Sequence, residues 1–416
     1  MGNYWIYIVD NYQRDLSSIC WWTLESDFHK NDKICLLPKF EINPEILSRE
    51  KPDVIVWNYA RPNNIKWIKL AHKLGVYNIV HDTEGIPRDM STYFNGIKSN
   101  QLQFIDEIWC WGITQAKFLE KRFPKIKKFI DIKITGSIRY EYAKSLKKVK
   151  YHENKNKIIW NTSFSTLSPK FQSPWREFTQ HHEYLELSEE ETLNKFINFA
   201  AERQISTEYI KLIASYSKTN QITLRPHPFE SVNFYLDTFK ESFDNIQFST
   251  LGDVHLDLNQ NSLVLQYGCQ TALDAFIRGV PSIKTIQDDI NIWSKVTPFV
   301  EAIILREKLS DINFLKEIYE KQKKLFKDNK INEILYNLDN SIKIKEKLFL
   351  KRRGFKENLK LRYYKFKYYI KKLIKTNKIQ EIRKSLTSEN INSFLSDNYN
   401  SKDWCFKNKI CTIKRY

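Results

Sequence analysis

Leu263-Val264-Leu265-Gln266-Tyr267-Gly268-Cys269-Gln270-Thr271-Ala272-Leu273-Asp274-Ala275 reads as a buried strand, a glycine turn and a helix that starts near Gln270. The helix continues to Arg278, where Gly279 and Pro281 end it, and the segment Ser282 to Thr285 supplies the next strand. Strand, helix and strand in that order make a βαβ unit, and a crossover of this kind joins parallel strands. A turn that opens a helix directly after a strand also offers backbone N–H groups and the Thr271 hydroxyl to an anion, although the same residues serve an ordinary capped helix.

Working outward, the α/β rhythm recurs. Upstream lie the strand Lys157 to Asn161, helical stretches Ser188 to Arg203 and Glu208 to Lys218, and strands Gln221 to Leu224 and Ile246 to Phe248. From Tyr140 to Asn156 the chain is polar and lysine-rich, which marks a domain boundary. Before it, β-like runs at Tyr4 to Val9, Lys33 to Leu37, Asp53 to Trp57, Val76 to Val80, Glu107 to Trp109 and Ile132 to Thr135 alternate with helical spacing at Asn64 to Leu74 and Thr114 to Phe123. Alternation of this kind implies parallel sheets covered on both faces. The expected domains are 1–150, 151–310 and a carboxyl-terminal extension, 311–416.

Composition narrows the class. Hydrophobic residues at 42% and aromatics at 14% of 416 residues argue for a folded protein and against a disordered one. The six cysteines form no C-x-x-C pair, so neither a zinc site nor a disulfide framework is indicated, and a reducing cytosol is expected. Met1 to Asp10 reads as a first buried strand rather than a signal peptide, and no apolar run is long enough to span a membrane. The net charge of +18 is concentrated: residues 341–384 hold 17 Lys/Arg against Glu346, Glu357 and Glu381.

Two further stretches carry chemistry. His81-Asp82-Thr83-Glu84-Gly85 follows the apolar run Val76 to Val80 and puts two carboxylates at the C-terminal end of a strand, where open α/β sheets keep their ligand crevice; the other reading is a solvated turn whose acid caps the next helix. Leu224-Arg225-Pro226-His227-Pro228-Phe229-Glu230 follows another strand, and its prolines stiffen a loop bearing two cationic donors suited to an anion. The alternative is a hydrogen-bonded structural histidine beside an ion-paired Arg225. Cys269 has no indicated histidine partner and reads as a small buried thiol.

The acidic-x-acidic-Gly turn, the His-Pro motif after a strand and the small-polar turn opening a later helix resemble, in order and spacing over residues 1–300, the motifs of bacterial CMP-sugar-dependent GT-B glycosyltransferases of surface polysaccharide assembly, the Kdo and sialyltransferase type. Thr135-Gly136-Ser137-Ile138-Arg139-Tyr140 also matches the Gly-x-x-Arg stretch that often closes the first domain in such proteins. The chain departs from the sialyltransferase pattern at Cys269-Gln270-Thr271, where one hydroxyl and one amide replace paired hydroxyls.

The resemblance implies two Rossmann-like domains facing across a cleft and transfer of an acidic sugar from a CMP-activated donor to an oligosaccharide or glycolipid acceptor, with no cofactor and no metal. Asp82 and Glu84 would serve as acceptor-side carboxylates, Glu84 being favoured as the principal one with the choice between them open, and His227 as the third catalytic group. Arg225, Pro228, Gly268, Gln270, Thr271 and Arg139 would bind the donor. Teichoic-acid CDP-glycerol transferases look similar in the second half, so a CDP-polyol phosphotransferase is the alternative enzyme.

The basic segment interleaves its charges with Phe349, Phe355, Tyr363, Tyr364, Phe366, Tyr368 and Tyr369. A basic aromatic helix suits an anionic membrane surface at the inner face of the cytoplasmic membrane. Nucleic-acid binding, with the protein acting as a scaffold through this tail, is the less favoured partner, and a solvated helix packed on the first domain is the third reading.

Overall fold

The computed structural model describes residues 2–10, 15–25, 29, 31–83, 97–150, 156–170, 172–185, 187–216, 219–239, 243–249, 252–289, 291–329, 331, 404–407 and 410–413. It divides the chain into two compact units, with the division between Tyr142 and Ala143.

Unit 1 carries six parallel strands: β1 (Tyr4–Val9), β2 (Lys33–Pro38), β3 (Val54–Trp57), β4 (Tyr77–His81), β5 (Glu107–Cys110) and β6 (Asp131–Ile134), in the spatial order 2-1-3-4-5-6. Strand residues alternate between two cores because successive side chains leave opposite faces. Ile6 and Ile8 of β1, with Ile55 and Trp57 of β3, join one buried cluster; Trp5, Tyr7 and Val9, with Val54 and Val56, join another. Helices α1 (Ser17–Glu25), α2 (Pro44–Glu50), α3 (Pro62–Lys73), α4 (Ile113–Arg122) and α5 (Ile138–Ser145) connect the strands. α3 covers the first face through Ile65, Ile68 and Ala71, and α1 the second through Ile19, Cys20 and Trp22. Burial on both faces is why these strands read as unbroken apolar runs.

Unit 2 has five parallel strands, β7 (Lys157–Asn161), β8 (Gln221–Arg225), β9 (Ile246–Phe248), β10 (Leu263–Gln266) and β11 (Ser282–Lys284), in the order 11-10-7-8-9. Its helices are α6 (Pro174–Leu185), α7 (Glu189–Tyr216), α8 (Asn233–Phe239), α9 (Val254–Leu258), α10 (Thr271–Arg278), α11 (Ile292–Lys295), α12 (Ala302–Lys308) and α13 (Ile312–Asp328). Ile158, Trp160, Leu263 and Leu265 pack with Tyr209, Ile210 and Ile213 of α7, whereas Ile159 and Val264 face the opposite cluster with Val254 and Ala275.

The structure corrects the sequence reading in three places. The two helices expected at Ser188 to Arg203 and Glu208 to Lys218 are one 28-residue helix, α7. Within the gap between them, the hydroxyls of Ser206 and Thr207 are satisfied in place: Thr207 Oγ1 donates to the Arg203 carbonyl at 2.8 Å, and Ser206 Oγ meets Thr285 Oγ1 at 2.8 Å. Residues 312–328 do not begin a separate extension, since Leu315 and Ile318 of α13 lie in the unit 2 core. Last, β12 (Trp404–Lys407) and β13 (Ile410–Ile413) form an antiparallel hairpin, and β13 adds antiparallel to β2. That hairpin covers what would otherwise be an open sheet edge. The basic segment 341–384 lies outside the described residues, and no described helix is long and apolar enough to cross a membrane.

The polar boundary stretch is held by α10. Arg278 Nε donates to the Lys147 carbonyl at 3.0 Å, and the Val149 amide donates to the Arg278 carbonyl at 2.7 Å.

Candidate functional site

In unit 2 the strand order reverses between β7 and β10, and side chains at that point are cross-linked. Asn161, at the end of β7, donates from Nδ2 to Cys269 Sγ at 3.0 Å, tying β7 to the turn after β10. Gln266, wholly buried, shapes this turn from inside, for its Oε1 accepts the Cys269 amide at 2.9 Å while Nε2 donates to Thr297 Oγ1 at 2.8 Å. Gly268 has φ +49°, and a Cβ there would come within 2.6 Å of Ser294 Oγ and 2.7 Å of Asn291 Nδ2. The Ser294 hydroxyl is fully buried and has no protein partner. α10 then starts at Thr271 with Gln270 as N-cap and no side-chain capping bond; the Ala272 and Leu273 amides donate to the carbonyls of Cys269 and Gln270, at 3.1 and 2.9 Å, so what this helix start offers an anion is the positive end of its dipole and the Thr271 hydroxyl.

The His-Pro loop sits at the same edge of this sheet. The Glu230 amide donates to the His227 carbonyl at 2.8 Å, closing a turn with Pro228 at its second position. The Phe229 amide donates to His227 Nδ1 at 3.3 Å, so in the neutral ring the proton rests on Nε2. Glu230 organises the loop: its carboxylate accepts from Thr162 Oγ1 at 2.6 Å, Tyr235 OH at 2.6 Å, and the amides of Phe164 and His227, both at 3.3 Å. Burial pushes its carboxyl up, and these four donors pull it back.

Arg225 is placed differently from the expectation of an anion donor. Its guanidinium is buried and committed inward, to Asp257 Oδ2 at 2.5 Å, Ser249 Oγ at 3.4 Å and the Gly252 carbonyl at 2.9 Å. It fixes the C-terminal end of β8 to α9, so its role in this geometry is positioning. Burial raises the Asp257 carboxyl while Arg225 draws it down. The structure therefore brings His227, Pro228, Gly268, Gln270 and Thr271 to one sheet edge. Glu230, Gln266, Asn161 and Asp257, which hold that edge, were missed by sequence reasoning. Only Glu230 had a local signal, a carboxylate closing a proline turn.

In unit 1, His81 is the last residue of β4 rather than the first of the turn. Its Nδ1 lies 3.4 Å from the Trp109 carbonyl, which can only accept, so Nδ1 carries the proton. Full burial pushes the imidazole down to about 4. Because the folded value lies below the unfolded one, near 6.5, stability from the neutral ring is present above pH 6.5 and is lost as pH falls toward 4, by up to about 3 kcal/mol. Urea melts at pH 7.5 and pH 5, compared with His81→Asn, check this; the variant is expected to flatten the difference.

Asp82 is 6% exposed, and its carbonyl accepts from Trp111 Nε1 at 2.8 Å. Thr83 N donates to the Asn58 carbonyl at 3.0 Å, which fixes the first half of the acidic turn. Glu84 lies outside the described residues. Arg139 stands half-buried in the first turn of α5, in unit 1, and so on a different unit from the other expected donor-binding residues.

No protein-family model and no curated protein matches the sequence. Among solved structures, a Listeria monocytogenes protein described as a UDP-N-acetylglucosamine 2-epimerase matches with TM-score 0.50 at 11% identity, over 80% of this chain and 95% of that one. The Neisseria meningitidis UDP-GlcNAc 2-epimerase bound to UDP-GlcNAc gives 0.47 at 11% identity, over 77% and 94%. A variant of the wall teichoic acid polymerase TagF gives 0.48 at 12% identity, over 88% and 90%. The first of these likenesses establishes the fold, two parallel-sheet α/β units in one chain.

Proposed function

We propose that this protein is a GT-B-type glycosyltransferase of bacterial surface polysaccharide assembly that transfers an acidic sugar from a CMP-activated donor. The observation that carries this reading is the edge of unit 2, where the Gly268 turn, the start of α10 and the His227 loop all follow the C-terminal ends of parallel strands. Such a place suits a nucleoside phosphate: the positive end of the α10 dipole and the Thr271 hydroxyl attract its oxygens, and His227 donates a hydrogen bond to the leaving phosphate as charge develops there. On this reading one of the two carboxylates of the acidic turn, Glu84 or Asp82, takes the proton of the acceptor hydroxyl. The basic aromatic segment 341–384 would bring the enzyme to an anionic lipid surface where glycolipid acceptors reside.

Thermal-shift titration against CMP, CDP, UDP and GDP tests it. CMP is expected to stabilise the protein by about 2.7 kcal/mol at a hundredfold excess over its dissociation constant, because a ligand bound only by the folded state adds stability by mass action. His227→Ala is expected to weaken the CMP response. Stabilisation by UDP or GDP with no response to CMP would refute the donor assignment, and a response confined to CDP would point to the polyol phosphotransferase.

A further inference from the structure

α7 is much longer than the strands it connects. It leads from the C-terminal end of β7 back to the start of β8, and its 28 residues span about 42 Å where the five-residue strands span about 17 Å. From Ser206 onward it packs on the sheet through Tyr209, Ile210 and Ile213, whereas Thr192 is the one buried residue among 189–205. The first part, about 25 Å long, therefore stands beyond the C-terminal edge of the sheet. α6 lies along it, Phe178 meeting Phe196 with ring centroids 5.2 Å apart, and the two helices make an arm. Its root is fixed, for Tyr267 OH donates to Glu202 and Arg203 Nη1 donates to Ser168 Oγ at 2.7 Å.

The arm shows solvent a surface that is both apolar and acidic. Trp175 is 71% exposed, Leu193 52%, Ile197 55% and Ile205 52%. Leu193, Ile197, Ala201 and Ile205 follow one another at intervals of four, so they form a single exposed ridge along α7. Residues 174–205 hold seven acids against three Lys/Arg, in a chain whose net charge is +18. Excess acid repels phosphate groups, so neither an anionic lipid surface nor a nucleic acid suits the arm. A fitting partner is basic and has apolar surface of its own.

Unit 1 presents such a surface. α3, residues 98–104 and α4 with the turn after it pack inward on one buried cluster, through Ile68, Leu102, Leu119 and Ile126, so their outer sides form one layer. Residues 62–73, 98–104 and 113–130 hold ten Lys/Arg against a single acid, Glu120, which bonds Lys127 at 2.9 Å. Lys66, Lys69, Lys117, Lys121, Lys125 and Lys128 are exposed, and Phe129, next to Lys128 in the chain, is 55% exposed. The face is already assembled in the folded unit, so a partner docks on it at little ordering cost.

We propose that the α6–α7 arm of one copy docks on the basic α3–α4 face of a second copy, with Trp175, Leu193 and Ile197 meeting the apolar surface around Phe129, and Glu189 and Glu190 meeting the lysines. Two helices side by side, roughly 25 by 20 Å, give a footprint of about 500 Å² per partner, below the ~800 Å² of a standard stable interface. Association is therefore expected to be weak and to fall with salt, because exposed charges carry much of it. None of this depends on which nucleotide unit 2 binds.

Sedimentation velocity on the full chain, at concentrations up to about 100 μM and in about 0.05 M and about 0.5 M salt, tests the proposal. Self-association is expected at low salt and its loss at high salt. Glu189→Lys with Glu190→Lys on the arm, and Lys125→Glu with Lys128→Glu on the face, are each expected to weaken it by about tenfold or more. Mixed together, these two variants are expected to associate again, because the reversed arm then meets a reversed face. Leu193→Ser with Ile197→Ser keeps the charge and alters exposed positions only, so it should weaken association without lowering the melting temperature; it keeps the test decisive if lysines in the first turn of α7, set against the helix dipole, unfold the arm. A parent that stays monomeric at low salt would overturn the proposal, as would parent-like association in the serine variant or a mixture of the two folded charge variants that stays monomeric. Association lost in the arm variant but kept in the face variant would also overturn it and assign the arm to another basic part of the chain, such as residues 341–384.

Discussion

Asp257→Ala is expected to destabilise the protein by about 3–5 kcal/mol, because it leaves the Arg225 guanidinium buried without its counter-charge. The loss should exceed that of an exposed pair such as Lys323 with Glu320, where about 0–1 kcal/mol is usual. Equilibrium urea unfolding measures it, and a double variant, Arg225→Met with Asp257→Leu, is expected to recover most of the loss since both charges are then absent. If Asp257→Ala leaves the urea midpoint unchanged, Arg225 is not held by this pair, and its guanidinium returns as a candidate for the donor phosphate.

Gly268→Ala is the second large effect. A non-glycine residue at φ +49° costs on the order of 1–2 kcal/mol, and the added Cβ would crowd Ser294 Oγ and Asn291 Nδ2, adding about 1–3 kcal/mol. The turn should also shift, moving the first amides of α10, so nucleotide stabilisation in the thermal-shift assay is expected to fall with stability. Adding Ser294→Ala to Gly268→Ala removes the nearer of the two clashes and should restore part of the steric cost only, since Asn291 Nδ2 remains. Full recovery in that double variant would mean that backbone conformation contributes nothing at this position.

The central strands were legible because they are buried on both faces, so the chain must spell continuous apolar runs such as Trp5 to Val9 and Val54 to Trp57. The start of α10 was legible for a related reason: Gly268 and the short polar residues after it do local work that only a few residue types can do. The continuity of α7 was not legible, because Ser206 and Thr207, which join its two stretches, favour turns as readily as helix, and the Ser206 hydroxyl meets Thr285 on another part of the chain. Arg225 illustrates the limit at the site. Its position at a strand end was readable, but Asp257 stands 32 residues away, and nothing near Arg225 shows whether the guanidinium faces a ligand or a carboxylate.

The sequence by itself determined the two parallel α/β units and the strand-end placement of Asp82, the His-Pro loop and the Gly268 turn, since these follow from local burial and backbone chemistry. Only the tertiary structure decided which polar side chains are satisfied. Asp10, Lys39 and Tyr59 meet because β1, β2 and β3 are neighbours in the sheet, and the 404–413 hairpin finds β2 from the far end of the chain. Strand order is a property of the whole core, set by how helices cover both faces, and no local stretch encodes it.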